Sequence, residues 1–312
     1  MPELPEVQTI VDDLNKKIIG RKITAVWFDW PKTIKNPKPK VFEKEIKGLG
    51  VEKIKRAGKN ILIYLSRGYL LLIHQKMTGH LLVGKWRIRT ARLRTLRRLT
   101  DRTSAMRMRP YEYEIESLLK GPLQEKVNGY IHLIFYFDNG WQMALSDLRK
   151  FAKVLLGDKE KIENLPELKK LGPDALDKKL SFKKFKDIIE HIRGKIKQAL
   201  MNQEIISGIG NIYSDEALFL AKIHPFKPAN KLTKKEANNL YLAIRRVLKK
   251  ALRLRGTSIS DFRDTSGKAG AYSNVRLVYR KEGKPCPRCQ TLIKRVKMAG
   301  RSAHFCPKCQ EF

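Results

Sequence analysis

Apolar positions Val7, Ile10, Val11, Leu14 and Ile18 recur at helical spacing over residues 5–19, with Pro5 suited to a first turn and Gly20 to a stop. The pattern predicts one amphipathic helix at the amino terminus. From Ile23 to about Leu156 it changes to short apolar runs: ITAVWF, ILIYL, YLLLI, IHLIFYF and WQMALS, with SRG and DNG as hairpin turns. Many strands and few helices over this length predict a β-sandwich or flattened barrel. A polar linker follows at 157–180, GDKEKIENLPELKKLGPDAL.

Helical spacing returns at Ser181, a candidate cap, with Phe182, Phe185, Ile188, Ile189, Ile192 and Ile196 on one face. That pattern predicts a helix running to about Asn202. A glycine turn, SGIGN, then leads to a short helix over 211–221, and Thr233 with Glu236 forms a capping box for a third helix ending near Gly256. A flexible stretch, SDFRDTSGKAGAYSN, is expected before a strand VRLVYR. The fold class predicted is α+β and multidomain: residues 1–156 as a helix plus β-sandwich, 181–262 as a helical domain, and 263–312 as a loop and a C-terminal ribbon.

Charge narrows the partners. Lys and Arg number 66 against 31 Asp and Glu, a formal net charge of +35 in 312 residues. A field of that sign recruits polyanions, nucleic acid first, with a ribosomal or membrane-surface role as the alternative. The greasiest stretch, ILIYLSRGYLLLI, is interrupted by Arg67 and Gly68, so no membrane span is expected. The opening MPELPE lacks a basic, then apolar leader, and a cytoplasmic, nucleoid-associated location is expected.

All four cysteines fall in the last 27 residues, as CPRC and CPKC with sixteen residues between Cys289 and Cys306. Cys286, Cys289, Cys306 and Cys309 have the spacing of a zinc ribbon, in which two tight knuckles complete one tetrahedral Zn2+ site. Two disulfides are the alternative reading.

Removal of Met1 would expose Pro2 as a free secondary amine. With an α-amino pKa near 7.7–8.0, roughly a tenth or more of such a group is neutral at pH 7, against about 0.04% of a lysine near 10.4. A secondary amine attacking a sugar C1′ gives an iminium that cannot be discharged by losing a proton from nitrogen. Glu3 is one residue away and has the chemistry for proton transfer. On these residues alone, Pro2 and Pro5 equally well shape a chain end, while Glu3 and Glu6 complement a helix N-terminus.

PELPEV, HQKMTGHL, SDLRKF, SGIGNIYSDE, DTSGKAGAY and the paired CPRC and CPKC, in that order over nearly the whole chain, resemble the successive signatures of bacterial formamidopyrimidine-DNA glycosylase. Leu4 in PELPE resembles the oxidised-purine branch; the related endonuclease VIII branch has Gly there. The resemblance implies a glycosylase and abasic-site lyase acting on damaged duplex DNA as a monomer, without an obligatory protein partner or a membrane. It implies Pro2 as Schiff-base nucleophile, Glu3 as acid/base partner, Glu6 in support, and Lys59 as a catalytic residue that contacts a phosphate beside the lesion. Met77, Arg149 and Phe151 match the side chains that fill the gap left by a flipped base. By pattern alone Met77 and Phe151 are ordinary core residues and Lys59 a solvated charge.

Within SGIGNIYSDE, similar to the helix-two-turn-helix element, Asn211 is implied at a phosphate and Glu216 near the nucleophile, hydrogen-bonding to its surroundings. Arg301 matches a phosphate-gripping arginine of the ribbon, and DTSGKAGAY looks like a loop closing over an everted purine. Gln8, Gln75 with Lys76, and DLRKFA depart from the family pattern and leave lesion preference open. A pyrimidine-lesion glycosylase and a non-catalytic zinc-dependent DNA binder are the competing functions.

The resemblance lapses over 86–119, a window with nine Arg and no Lys, whereas the rest of the chain has fifteen Arg and forty-two Lys. An arginine arm with a short helix around Leu93, Leu96 and Leu99 is one expectation. A disordered loop, or a segment read in a shifted frame, is the other; both predict that the sandwich tolerates its loss.

Overall fold

The computed structural model describes residues 1–92, 111–259 and 261–312. The amino-terminal half opens with α1 (Leu4–Lys17), followed by β1 (Ile23–Phe28), β2 (Ile34–Asn36), α2 (Pro39–Ile46), β3 (Val51–Ala57), β4 (Asn60–Leu65), β5 (Tyr69–His74), β6 (His80–Gly84), β7 (Trp86–Arg92), β8 (Tyr111–Ser117), β9 (Ile131–Phe137), β10 (Gln142–Ser146) and β11 (Lys153–Asp158). Two sheets face each other, one ordered β1-β9-β10-β6 and the other β2-β11-β5-β4-β3. Leu133, Phe135 and Phe137 from the first sheet, and Ile61, Ile63, Leu71 and Ile73 from the second, share one core with Val7, Ile10, Val11 and Leu14 of α1.

The opposite faces of these strands are buried as well, which is why the strands read as continuous apolar runs. Leu62, Leu70 and Leu72 lie under Ile162, Leu165 and Leu168. Those three come from the segment expected to be a plain linker, which instead carries the short helices α3 (Lys159–Glu163) and α4 (Pro166–Lys169).

On the other sheet, Leu82, Ile134 and Ala144 are covered by Trp86, Ile88, Ile115 and Leu119. These belong to the arginine-rich window. Its two ends form an antiparallel hairpin, Trp86 paired with Ser117 through Arg92 with Tyr111, and Tyr113 meets Trp27 edge to face. Its flanks therefore serve the sandwich and are not a solvated loop. The helix expected around Leu93, Leu96 and Leu99 lies outside the described residues.

The second half holds α5 (Phe182–Glu190), α6 (Ile196–Met201), α7 (Asn211–Ala221) and α8 (Lys234–Arg253). Ser181 caps α5, and Thr233 with Glu236 forms the capping box of α8. The single helix expected from 181 to about 202 is broken over 191–195. There the chain turns its hydrogen bonds outward: the amides of Ala229 and Asn230 donate to the carbonyls of Gly194 and Ile192, and the Ile196 amide to Lys227. The apolar period continues across the break because both pieces face the same core.

The ribbon hairpin consists of β12 (Lys294–Met298) and β13 (Arg301–Phe305). Lys197 of α6, fully buried, donates to Asp215 of α7 at 2.6 Å and to the Ser302 carbonyl at 2.5 Å. Asp215 in turn accepts the His304 amide and lies 2.9 Å from its Nδ1, which fastens the hairpin to the helical domain. Among the described residues no helix is long and apolar enough to cross a membrane.

Candidate nucleic-acid active site

Helix α1 sits between the two halves. Its residue Leu4 packs in the helical core while Val7 onward packs in the sandwich core, so Pro2 and Glu3 are carried to the junction. The Glu3 carboxylate, 2% exposed, meets the start of α7 and accepts from the amides of Gly210 at 2.8 Å, Ile212 at 2.9 Å and Tyr213 at 3.4 Å. Free N–H groups and the helix dipole make this end of α7 a natural seat for an anion.

The approach is too close for side chains in SGIGN. A Cβ on Gly210 would stand 2.4 Å from Glu3 Cδ, and one on Gly208, at φ +99°, would stand 2.7 Å from Leu4. Gly256, at φ +83°, is held to the same standard by Glu6, 2.7 Å from where its Cβ would be. The Glu6 carboxylate accepts from the Glu3 amide at 2.8 Å, the Tyr213 hydroxyl at 2.5 Å and the Thr257 amide at 2.6 Å. Tyr213 and Thr257 carried no chemical signature in the sequence; only their contact with Glu6 brings them in.

Two cavities open beside the chain end. One, about 270 Å³, is lined by Glu3, Lys59, Asn211, Tyr279, Arg280 and Arg301 among others, and Met1 occupies its edge. Lys59 is 6% exposed, and burial lowers its pKa against the raising pull of Glu3 and Glu6. The Asn211 Oδ1 is buried without a hydrogen-bond partner. The second cavity has Pro2, Glu6, Met77, Thr257, Ile259, Asp261 and Phe262 in its wall. Burial also lowers the pKa of the terminal ammonium, here that of Met1, against Glu3 and Glu6.

Thr257, Ile259, Asp261 and Phe262, rather than DTSGKAGAY, stand in the wall beside Pro2. The expected flexible loop is pinned: Thr265 is fully buried, donates to Asp13 at 2.9 Å and gives its carbonyl to the Val83 amide at 2.7 Å, while Asp264 pairs with Arg255. The expected strand VRLVYR is absent for a related reason. The amides of Leu277, Val278 and Tyr279 donate to the Glu216 carboxylate at 2.7, 2.9 and 3.0 Å, which commits three consecutive amides to one side chain instead of a neighbouring strand. Glu216 thus has no bond to Pro2; it holds the turn that carries Tyr279 and Arg280 into the cavities.

Met77, Arg149 and Phe151 come together on two adjacent loops. Met77 is 37% and Phe151 49% exposed, so neither is a core residue. The Arg149 guanidinium stacks 4.5 Å from the Phe151 ring and reaches Met77 Sδ at 3.4 Å. Asp147 ties the loops by accepting from the Thr78 hydroxyl and from the amides of Arg149 and Ala152.

The four cysteine Sγ atoms lie within 4.8 Å of one another, with Cys289 3.4 Å from both Cys306 and Cys309 and Cys286 3.9 Å from Cys309. A disulfide needs about 2.05 Å. Tetrahedral thiolate ligation at about 2.3 Å from a zinc-sized ion needs sulfurs about 3.8 Å apart, which this set matches.

Family models for the formamidopyrimidine-DNA glycosylase N-terminal domain, for its H2TH domain and for a zinc finger found in FPG and IleRS match residues 1–154, 171–263 and 283–311. The chain belongs to the formamidopyrimidine-DNA glycosylase family. Relatives of that name from Desulforamulus reducens and Protochlamydia amoebophila are 36% and 35% identical over the whole of this chain and 99% and 100% of theirs. A Lactococcus lactis FPG mutant in complex with a Fapy-dG containing DNA aligns at TM-score 0.80 and 30% identity, covering both chains fully. L. lactis Fpg with an abasic site containing DNA aligns at 0.79, also 30% identical, over 99% of this chain and 100% of that one. Membership makes the chain a DNA-repair glycosylase with a metal-binding finger.

Glu6 sets a pH dependence. Burial, then the adjacent Glu3 charge, raises its pKa from 4.5 to about 7, outweighing its three hydrogen bonds. The folded state therefore binds this proton more tightly than the unfolded chain does. The contribution is fully present below about 4.5 and is lost as pH rises through 7, on the order of 3 kcal/mol. Urea unfolding at pH 4.5 and pH 8 is expected to show Glu6→Gln losing less stability over this interval than the parent. Equal losses would contradict the assignment.

Proposed function

We propose that the chain removes oxidised purines, 8-oxoguanine and formamidopyrimidines, from duplex DNA and then cleaves the abasic strand, with Pro2 as nucleophile once Met1 is removed. The observation that carries this reading is the convergence on one cleft of Pro2, Glu3, Lys59, Asn211 and Arg301, with the exposed Met77, Arg149 and Phe151 beside it. Met1 lines both cavities beside the chain end, so its loss opens space there and frees the proline amine.

The chemistry follows from these positions. The Pro2 nitrogen attacks C1′ and the glycosidic bond breaks, its electron pair leaving with the base, which takes up a proton. Glu3 takes up the proton that the Pro2 nitrogen sheds on bonding to C1′ and passes it to the opening ring oxygen, giving an iminium at C1′. Loss of a C2′ proton then expels the 3′ phosphate, and a second elimination expels the 5′ phosphate. Lys59, Asn211 and Arg301 hold the phosphates flanking the lesion, while Met77, Arg149 and Phe151 fill the vacated stack. Glu6 supports Glu3 by binding its amide. The ribbon holds one structural Zn2+ on Cys286, Cys289, Cys306 and Cys309.

Duplexes carrying 8-oxoguanine, thymine glycol or an abasic site test the reading. Excision of 8-oxoguanine and cleavage of the abasic strand are expected, with thymine glycol slower. Much faster action on thymine glycol would assign the chain to pyrimidine lesions, and an intact abasic duplex would overturn the lyase step. For the ribbon, metal analysis is expected to give about one zinc per chain, with Cys289→Ser weakening DNA binding more than it disturbs the sandwich. Folded, active protein without zinc would refute that role.

A further inference from the structure

A cavity of about 460 Å³ lies on the opposite flank of the sandwich from Pro2. Two measures of chain place it there. Strands β6 and β10 pair from His80 with Ser146 to Gly84 with Gln142, and the Met77 and Arg149 loops adjoin the first end. Val83 and Trp141, in the cavity wall, belong to the second end, roughly 14 Å along the strands. Lys17, also in the wall, is the last residue of α1, about 20 Å along the helix from Leu4.

The floor is apolar: Val83, Leu119, Pro122 and Leu123, with the Trp141 ring 39% exposed at its edge. Lys17, Lys120 and Lys268 line the rim, and the Lys85 ammonium stands 5.8 Å from the Trp141 ring. No carboxylate lines this cavity, and among the described residues Lys120 and Lys268 have no ion-pair partner. Apolar walls with a few convergent charges of one sign are the composition of a small-ligand site, and the volume falls in the range of such sites.

We propose that this cavity binds a small planar aromatic anion, its ring against Trp141 and the leucines and its acid group among the rim lysines. The site is separate from the DNA cleft and does not rest on the repair reaction. Lys17 is held in place in the wall: its ammonium donates to the hydroxyls of Thr265 at 2.8 Å and Ser266 at 2.9 Å, and Thr265 bonds Asp13, which also pairs with Arg255.

The probe is 2-naphthoate, with neutral 2-naphthamide as its uncharged counterpart, titrated calorimetrically into the full-length protein. Saturable one-to-one binding of the acid, at least tenfold tighter than that of the amide, is expected. The exposed double change Lys120→Glu with Lys268→Glu should weaken it tenfold or more, and Trp141→Ala should weaken both probes, with thermal unfolding showing the fold retained. Saturation with an abasic-analogue duplex should leave the affinity unchanged. Non-saturable binding, equal affinity for acid and amide, no effect of the rim changes, or displacement by the duplex would each overturn the proposal.

Discussion

The Glu3 carboxylate at the start of α7 is the contact that fixes everything around the amino-terminal end of the chain. A buried carboxylate is costly unless its lone pairs are satisfied, and three backbone N–H groups at a helix N-terminus satisfy them without another side chain. Because the donors are main-chain groups of the helical domain, Glu3 is held by the opposite half of the protein from the sandwich that packs most of α1. Gly208 and Gly210 follow directly, since the helix must approach Glu3 and Leu4 more closely than any Cβ permits. Glu6 repeats the device with Gly256 and Thr257. The two halves thus meet through main-chain groups on two carboxylates, and the cleft between them is set by the first six residues.

The same economy governs the outer parts of the site. Glu216 gathers three consecutive amides into the turn that presents Tyr279 and Arg280, and Asp147 organises the Met77 and Arg149 loops. Lys197, Asp215 and His304 attach the ribbon hairpin through a buried ion pair. Such a pair contributes little net stability once desolvation is counted, but removing one partner strands the other at about 3–5 kcal/mol. Its consequence here is registration: Ser302 and His304 are fastened to α6 and α7, and Arg301, next in the strand, is thereby delivered to the cavity that holds Lys59 and Asn211.

Much of this was legible in the sequence because the signals were local. The period of α1, the short apolar runs of β4, β5, β9 and β10, the cap at Thr233 and the paired knuckles all depend on residues close in the chain. The failures were tertiary. VRLVYR has the composition of a strand, yet its amides are taken by a carboxylate some sixty residues earlier, which no window of pattern reveals. DTSGKAGAY reads as flexible by composition but is anchored by Asp13, Lys17 and Arg255. The ends of the arginine-rich window looked expendable because their apolar residues, Trp86, Ile88, Ile115 and Leu119, are separated by the inserted stretch and form a covering face only when paired. Glu3 and Glu6 were visible as candidates, whereas Tyr213 and Thr257 needed the fold.

Reductive trapping tests the central claim, that the first residues form the reacting end of a cleft built around them. The protein is incubated with an 8-oxoguanine duplex and sodium borohydride, and the covalent adduct is digested and mapped by mass spectrometry. The account predicts a chain whose intact mass shows Met1 removed, a crosslink on the Pro2 nitrogen, and no adduct from an amino-terminally extended protein. An adduct that maps to Lys59 or another lysine, or one formed equally well by the extended chain, would contradict it.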